Sequence, residues 1–355
     1  MAMVINELLE YTVNNKASDL HLTVGRPPMV RIFGELTPIP GREILTHNII
    51  VELLLPILDE NRKNVLVRTG QVDFSYGLPS VGRFRVNIFR QRGTLSGVMR
   101  AIPSEIPPLD LLGIPEAVKG FAERSKGLVL ATGPTGSGKT TTLASLIDLI
   151  NTNRNCHILT LEDPIEFLHR HKLSIVNQRE VGTDTDSFAN GLRAALREDP
   201  DVILVGEMRD LETIQIALTA AETGHLVFAT LHTNDVPQTV DRVIDVFPPH
   251  QQTQIRMQLA LTLQGIIAQQ LIPRIDQPGR VLATEVLVMT SAARNLIREG
   301  KTHQLHTVLQ TGGKYGMHTM DSSLKSLYER RIISIQEALL RCSDPEEFKK
   351  SVGVA

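Results

Sequence analysis

Apolar residues follow two different rhythms along this chain. Up to Ile102 they come mostly in short period-two runs, Asp19 to Thr23, Met29 to Phe33, Val72 to Tyr76, Arg83 to Phe89 and Leu95 to Ala101, the pattern of half-buried strands. Helical spacing covers Asn6 to Thr12 and Ile49 to Leu66, so this part reads as a small α+β unit. Past residue 119 the strand candidates are continuous apolar runs, Gly127 to Thr132, His157 to Leu161, Val202 to Val205 and Leu226 to Leu231, separated by helical patterns. Such alternation predicts an α/β unit with a mostly parallel sheet and helices on its faces. A helix is expected from Gln251 to Leu271, with a stripe of Ile255, Leu259, Leu263, Ile266 and Ile267. A strand from Arg280 to Met289 and helices at Ala292 to Glu299, His318 to Arg330 and Ile335 to Leu340 follow, giving a helical C-terminal region over about 290–355.

Proline and glycine punctuate one place strongly, Ile102-Pro-Ser-Glu-Ile-Pro-Pro108 with Gly113 and Pro115. The expected division is therefore an N-terminal domain over 1–102, a linker over 103–118 and a second domain over 119–355. A length of 355 residues with 42% hydrophobic content supports two packed cores.

Between the first continuous strand and the helix Thr141 to Ile150 stands Gly133-Pro134-Thr135-Gly136-Ser137-Gly138-Lys139-Thr140, a G-x-x-x-x-G-K-[ST] phosphate loop. Glycines let the backbone turn its N–H groups onto phosphates at a helix N-terminus. Lys139 is placed to reach the β and γ phosphates and Thr140 to hold Mg²⁺, with Thr141 ending the nucleotide-binding segment. The expected ligands are ATP and Mg²⁺.

Phosphoryl transfer to water also needs a group to orient the water and positive charge for the transition state. The strand Val202 to Val205 ends in Gly206-Glu207, with glycine where a metal-binding Asp usually stands. Glu207 is therefore cast as the residue that polarises water, the alternative being a helix cap. Glu162 and Asp163, with Glu166 nearby, lie just past another strand, either as part of the catalytic shell or as a solvated acidic turn. His232 and His225 bracket the strand Leu226 to Leu231, and His232 is the candidate γ-phosphate sensor. Period-two alternation puts Phe84, Val86 and Ile88 on one strand face and Arg83 and Arg85 on the other, either as a solvated strand face or as a guanidinium pair that stabilises phosphate charge in the same or a neighbouring subunit.

Charge narrows the partners: 37 Lys and Arg against 39 Asp and Glu give a net charge of −2, so no basic surface favours nucleic acid. Only Cys156 and Cys342 are present, far apart, which fits a reducing compartment and offers no zinc site. The first ten residues lack a basic n-region, and no apolar stretch approaches the ~18 residues of a bilayer span, so a soluble protein that meets membranes through a partner is expected.

Together these segments resemble the ATPases of bacterial type II secretion and type IV pili over nearly the whole chain. Gly133 to Thr140 is similar to the family's Walker A loop, Glu162 to Glu166 to its Asp box, Asp201 to Glu207 to its atypical Walker B, and Gly224 to Thr233 to its His box. Ala17-Ser-Asp-Leu-His21 and the arginine strand resemble its PAS-like N-terminal domain, and the resemblance implies a RecA-like ATPase core. Ala292-Ala-Arg-Asn-Leu-Ile-Arg-Glu299 resembles the motif of the retraction branch, with Ala293 where Ile is usual. The resemblance implies a cytoplasmic homohexamer peripheral to the inner membrane, hydrolysing ATP to drive pilus retraction and twitching motility. It would work on an inner-membrane platform protein and indirectly on the pilin fibre. The alternatives it leaves are an accessory paralogue of such a motor, which would otherwise be a partner, and an assembly or secretion ATPase.

Overall fold

The computed structural model describes residues 4–32, 34–103 and 105–353. Phe33, the end of one expected strand, Ser104 in the expected linker, and the chain ends 1–3 and 354–355 lie outside these. The chain divides into two compact units, Met1–Glu105 with Glu166–Leu168, and Ile106–Ile165 with His169–Ala355.

In the first unit, α1 (Ile5–Asn14) precedes β1 (Asp19–Leu22), β2 (Met29–Ile32) and β3 (Glu35–Pro38); α2 (His47–Leu54) and α3 (Glu60–Thr69) lead to β4 (Gln71–Leu78), β5 (Gly82–Gln91) and β6 (Thr94–Ile102). The strands form an antiparallel sheet in the order β3-β2-β1-β6-β5-β4. The single helix expected over Ile49 to Leu66 is two helices. Pro56 sits in an intervening 3₁₀ turn, and Asp59 starts α3 afresh by accepting a hydrogen bond from the Arg62 N–H at 2.8 Å. In β5 the alternation holds: Phe84, Val86 and Ile88 are fully buried, Arg85 is exposed and Arg83 half-buried on the other face. Arg85 stands opposite Arg100 of β6, and Arg100 donates to buried Asp19 at 2.8 Å. Burial works to raise the Asp19 carboxyl, but hydrogen bonds from Ser18 and Arg100 outweigh it and hold it below its usual range. Within this unit, then, the Ala17 to His21 segment anchors an arginine inside its own sheet.

In the second unit, 106–118 does not behave as a free linker. Leu109, Ile114 and Val118 are buried, so apolar burial fixes a stretch that proline and glycine keep irregular. After α4 (Glu116–Lys119) come β7 (Gly127–Thr132), α5 (Lys139–Asn153), β8 (His157–Glu162), β9 (Ile175–Glu180), α6 (Phe188–Ala195), β10 (Val202–Val205), α7 (Leu211–Glu222), β11 (Leu226–Leu231), α8 (Val236–Asp245) and α9 (Pro249–Thr262). Then follow β12 (Leu263–Pro273), β13 (Arg280–Val288), α10 (Ser291–Arg298), α11 (Leu305–Thr311), α12 (Met320–Glu329), α13 (Ile335–Leu339) and α14 (Pro345–Val352). The sheet order is β13-β12-β7-β11-β10-β8-β9, parallel throughout except for β12 with β13.

The helix expected over Gln251 to Leu271 is wrong in its second half. α9 stops at Thr262, where Leu263 turns to extended backbone, and Arg294 of α10 donates to the terminal carbonyls of Ala260 and Leu261. From there β12 runs between β7 and β13 with Leu263, Ile266, Ile267 and Ala268 all fully buried. A strand covered on both faces shows no alternation, and its apolar run is indistinguishable by period from a buried helix.

One buried group sets an acid limit on stability. His169, whose backbone N–H donates to Gln178, is pushed down to about 4 by burial, partly opposed by Asp148. Between about pH 6.5 and 4 the unfolded chain binds a proton that the native state refuses, so stability is fully present above 6.5 and declines as pH falls toward 4. The decline from this residue is on the order of 3 kcal/mol across the window. His169→Gln should flatten the pH dependence of the urea midpoint there, and an unchanged slope would assign it to other groups.

Candidate nucleotide site

The carboxyl ends of β7, β8, β10 and β11 lie on one edge of the sheet, where open α/β sheets bind ligands. At this edge β7 runs into the loop 133–138 and α5 begins at Lys139. Gly136 and Gly138 adopt positive φ of 78° and 91°, which an L side chain resists. The first N–H groups of α5 have no partner within the helix and no side chain caps them, so the positive end of the helix dipole lies at the loop. Pro134, Thr135 and Gly136 form the exposed tip; Ser137 and Lys139 are buried.

The side chains here fit a bound nucleotide. The Ser137 hydroxyl is buried with no hydrogen-bond partner among the described residues. The Lys139 ammonium donates to the loop's own carbonyls, Gly133 O at 2.7 Å and Pro134 O at 3.1 Å. A phosphate would offer both groups stronger, charged acceptors. Thr140, half-buried on the first turn of α5, is the residue that would hold a divalent cation bound with the phosphates, and Thr141 follows it in the same turn.

Glu207 is 18% exposed at the end of β10 and held from two sides: His232 Nε2 lies 2.9 Å from one carboxylate oxygen and Arg209 donates to the other at 2.7 Å. Burial tends to raise its carboxyl, but the Arg209 hydrogen bond and the charges of His232, Arg209 and Lys139 prevail and hold it below its usual range. Glu207 is thus anionic and within the field of the loop lysine. Its backbone is fixed as well. Thr230 donates its hydroxyl to Gly206 O, the Gly206 N–H donates to Leu161 O at 2.7 Å, and a Cβ on Gly206 would come within 3.1 Å of that same carbonyl. Glycine thus stands where a strand-end Asp would crowd β8.

The other candidates separate. Glu162 is buried at the end of β8, where its Oε1 accepts from Thr160 at 2.6 Å and Gln178 at 3.1 Å. Asp163 is exposed and close enough to Arg209 to raise its pKa along with Glu207. His232 joins Glu207, whereas His225 sits at the opposite end of β11, level with the start of β7, about 23 Å away along the strand. His225 bonds Ala220 O at 3.0 Å and packs locally, so the two histidines do not act together. Arg83 and Arg85 belong to the first unit.

Sequence reasoning missed Arg209 and a hydroxyl chain that steadies the turn carrying His232. Thr132 at the end of β7 bonds Thr233 O and Thr233 Oγ1 at 2.6 and 2.7 Å, and Thr233 bonds Thr239 at 2.7 Å. Its only signal was a threonine beside each motif.

Fold and loop together define a P-loop nucleotide-binding protein. A model of the type II/IV secretion system protein family matches residues 1–340, and the chain belongs to that family. It is 49% identical over 346 residues to the type IV pilus retractation ATPase PilT of Pseudomonas aeruginosa, covering 98% of this chain and 100% of that protein. It is 48% identical over 321 residues to a twitching motility protein of Neisseria gonorrhoeae (90% of this chain, 86% of that one), and 39% identical over 347 residues to the type IV pilus ATPase PilU of Pseudomonas aeruginosa (98% and 91%). A crystal structure of the pilus retraction motor PilT with bound ADP superposes with a TM-score of 0.91 at 49% identity, covering 98% of this chain and 99% of that one. Among the described residues no helix is long and apolar enough to cross a membrane.

Proposed function

We propose that this chain is the ATP-hydrolysing motor of type IV pilus retraction. The observation that carries the reading is the pairing of an intact phosphate loop with an anionic Glu207 held in the field of Lys139. The full-length likeness to a pilus retractation ATPase supports the direction of the work. Residues Gly133 to Thr141 bind the triphosphate, with loop amides on the phosphates and Lys139 turning from Gly133 O and Pro134 O onto them. Mg²⁺, held at Thr140 and by the phosphates, would neutralise charge developing on the β and γ oxygens. Glu207 orients the attacking water and takes its proton, while His232 keeps the carboxylate aimed and reports on the γ position. Glu162 and Asp163 shape the acidic wall beside it, Asp163 balancing Arg209.

In this reading six copies form a ring at the cytoplasmic face of the inner membrane, and Arg83 and Arg85 supply positive charge to a shared site. Hydrolysis then moves the two units of each subunit and works on a platform protein, releasing pilin from the fibre base, with a PilU-like paralogue as a second motor. The near-neutral charge of the chain supports a protein partner over nucleic acid. Two experiments test this. In the native host, a chromosomal Glu207→Gln should leave cells piliated and unable to twitch; bald cells would make the protein an assembly motor. In vitro, an equimolar mixture of wild-type protein with Arg83→Ala/Arg85→Ala subunits should turn over ATP at well under half the wild-type rate, because each variant subunit poisons a neighbour. Simple dilution to half would return both arginines to their own strand face.

A further inference from the structure

One polar side chain near the loop has no part in the chemistry above. Gln269, on β12, is fully buried. The parallel register pairs Ala268 with Thr132, which sets Gln269 beside Gly133, the first residue of the phosphate loop. Its backbone carbonyl lies 2.3 Å from where a Cβ on Gly133 would be, so loop and strand are in direct contact. Its side-chain Nε2 donates to the hydroxyl of buried Thr142 at 2.9 Å, two residues beyond Thr140 in the first turn of α5. Among the described residues its Oε1 is buried without a partner, as is the Ser137 hydroxyl, which packs against the same glycine.

Burying an amide whose oxygen is left unused is a cost that an apolar residue at this place would avoid. The cost is concentrated under the loop. We propose that Gln269 is a positioning residue of the nucleotide site: it fixes the two ends of the phosphate loop relative to one another, Gly133 through its backbone and the first turn of α5 through Thr142. This rests on the loop binding nucleotide and is independent of what the motor moves. Without the amide the α5 start, with Lys139 and Thr140, loses its tether to β12, and the loop must be ordered by the nucleotide itself. Affinity falls, while Glu207, fixed by β8, β10 and β11, keeps its place.

The test uses the full-length protein and a fluorescent ADP analogue as the probe, with ATP turnover measured in parallel. Gln269→Met and Thr142→Val should each weaken ADP binding and raise KM for ATP about tenfold, with kcat within twofold of wild type. The double variant should be no weaker than either single one, because both remove the same bond. Thr142→Ser, which keeps the hydroxyl, should bind as wild type does. Melting of the nucleotide-free protein separates this from general loosening: Thr142→Val, which strands the buried amide, should melt lowest, and the double variant, which removes both partners, should melt close to wild type yet bind ADP as weakly as the single variants. Unchanged ADP affinity in Gln269→Met, additive losses in the double variant, or losses that follow the nucleotide-free melting temperature would overturn the proposal. If wild-type protein bound no ADP, the nucleotide site itself would be withdrawn first.

Discussion

Glu207→Gln is expected to lower kcat for ATP hydrolysis by about 10²–10³ while leaving ADP affinity within a few-fold of wild type. The substitution is nearly isosteric, so the amide can still accept from Arg209 and the strand end stays locked by Thr230, Gly206 and Leu161. What is lost is the negative charge and the ability to take a proton. The loop, Lys139 and Thr140 are untouched, so binding persists without turnover. Acid dependence provides a second check. Because its neighbours hold the Glu207 carboxyl below the usual carboxylate range, the base is ionised at every pH above that range and is lost only as pH falls through its lowered value. The turnover profile of wild type should therefore show no limb near neutrality from this residue. Arg209→Ala removes the strongest of the effects that lower it and should move the acid limb upward. A Glu207→Gln protein with wild-type turnover would remove this residue from catalysis.

Which parts of this site could be read from the chain follows from how local their physics is. The phosphate loop is a contiguous backbone device, so Gly133 to Thr140 carries its own geometry in its spelling. Glu207 was legible for a related reason: an apolar strand must end at the sheet edge, and a carboxylate there has a fixed address. Arg209 was not, because its bond to Glu207 depends on a turn whose direction no period encodes. The hydroxyl chain Thr132–Thr233–Thr239 links residues about a hundred positions apart, and threonine in a strand looks the same whether it bonds or only packs. β9, with Asn177, Gln178 and Arg179, was too polar to register as a strand, yet it delivers Gln178 to Glu162. β12 failed in the opposite sense. Buried on both faces, it looked like more of α9, and with it went Gln269 and the contact beneath the loop.

That contact makes Gly133 the least replaceable residue of the loop. Gly133→Ala is expected to weaken ADP binding by about 100-fold, equivalent to roughly 2.7 kcal/mol. Two costs add. The residue has φ of 143°, which side chains rarely adopt, and its new methyl would lie 2.3 Å from the Gln269 carbonyl and 2.7 Å from the Ser137 hydroxyl. Ser137 can rotate away, but a backbone carbonyl held in a buried strand between β7 and β13 cannot, so the loop itself must lift from β12. Lifting turns the amides and the start of α5 away from the phosphate positions. Gly136→Ala is the control in the same loop. It too has positive φ, 78°, but a Cβ there meets nothing within 4 Å, so only the backbone cost of about 1–2 kcal/mol remains and the loss should be about tenfold. Equilibrium titration with the ADP analogue ranks the two. If Gly133→Ala binds as well as Gly136→Ala, the loop does not rest on β12, and the positioning role of Gln269 fails with it.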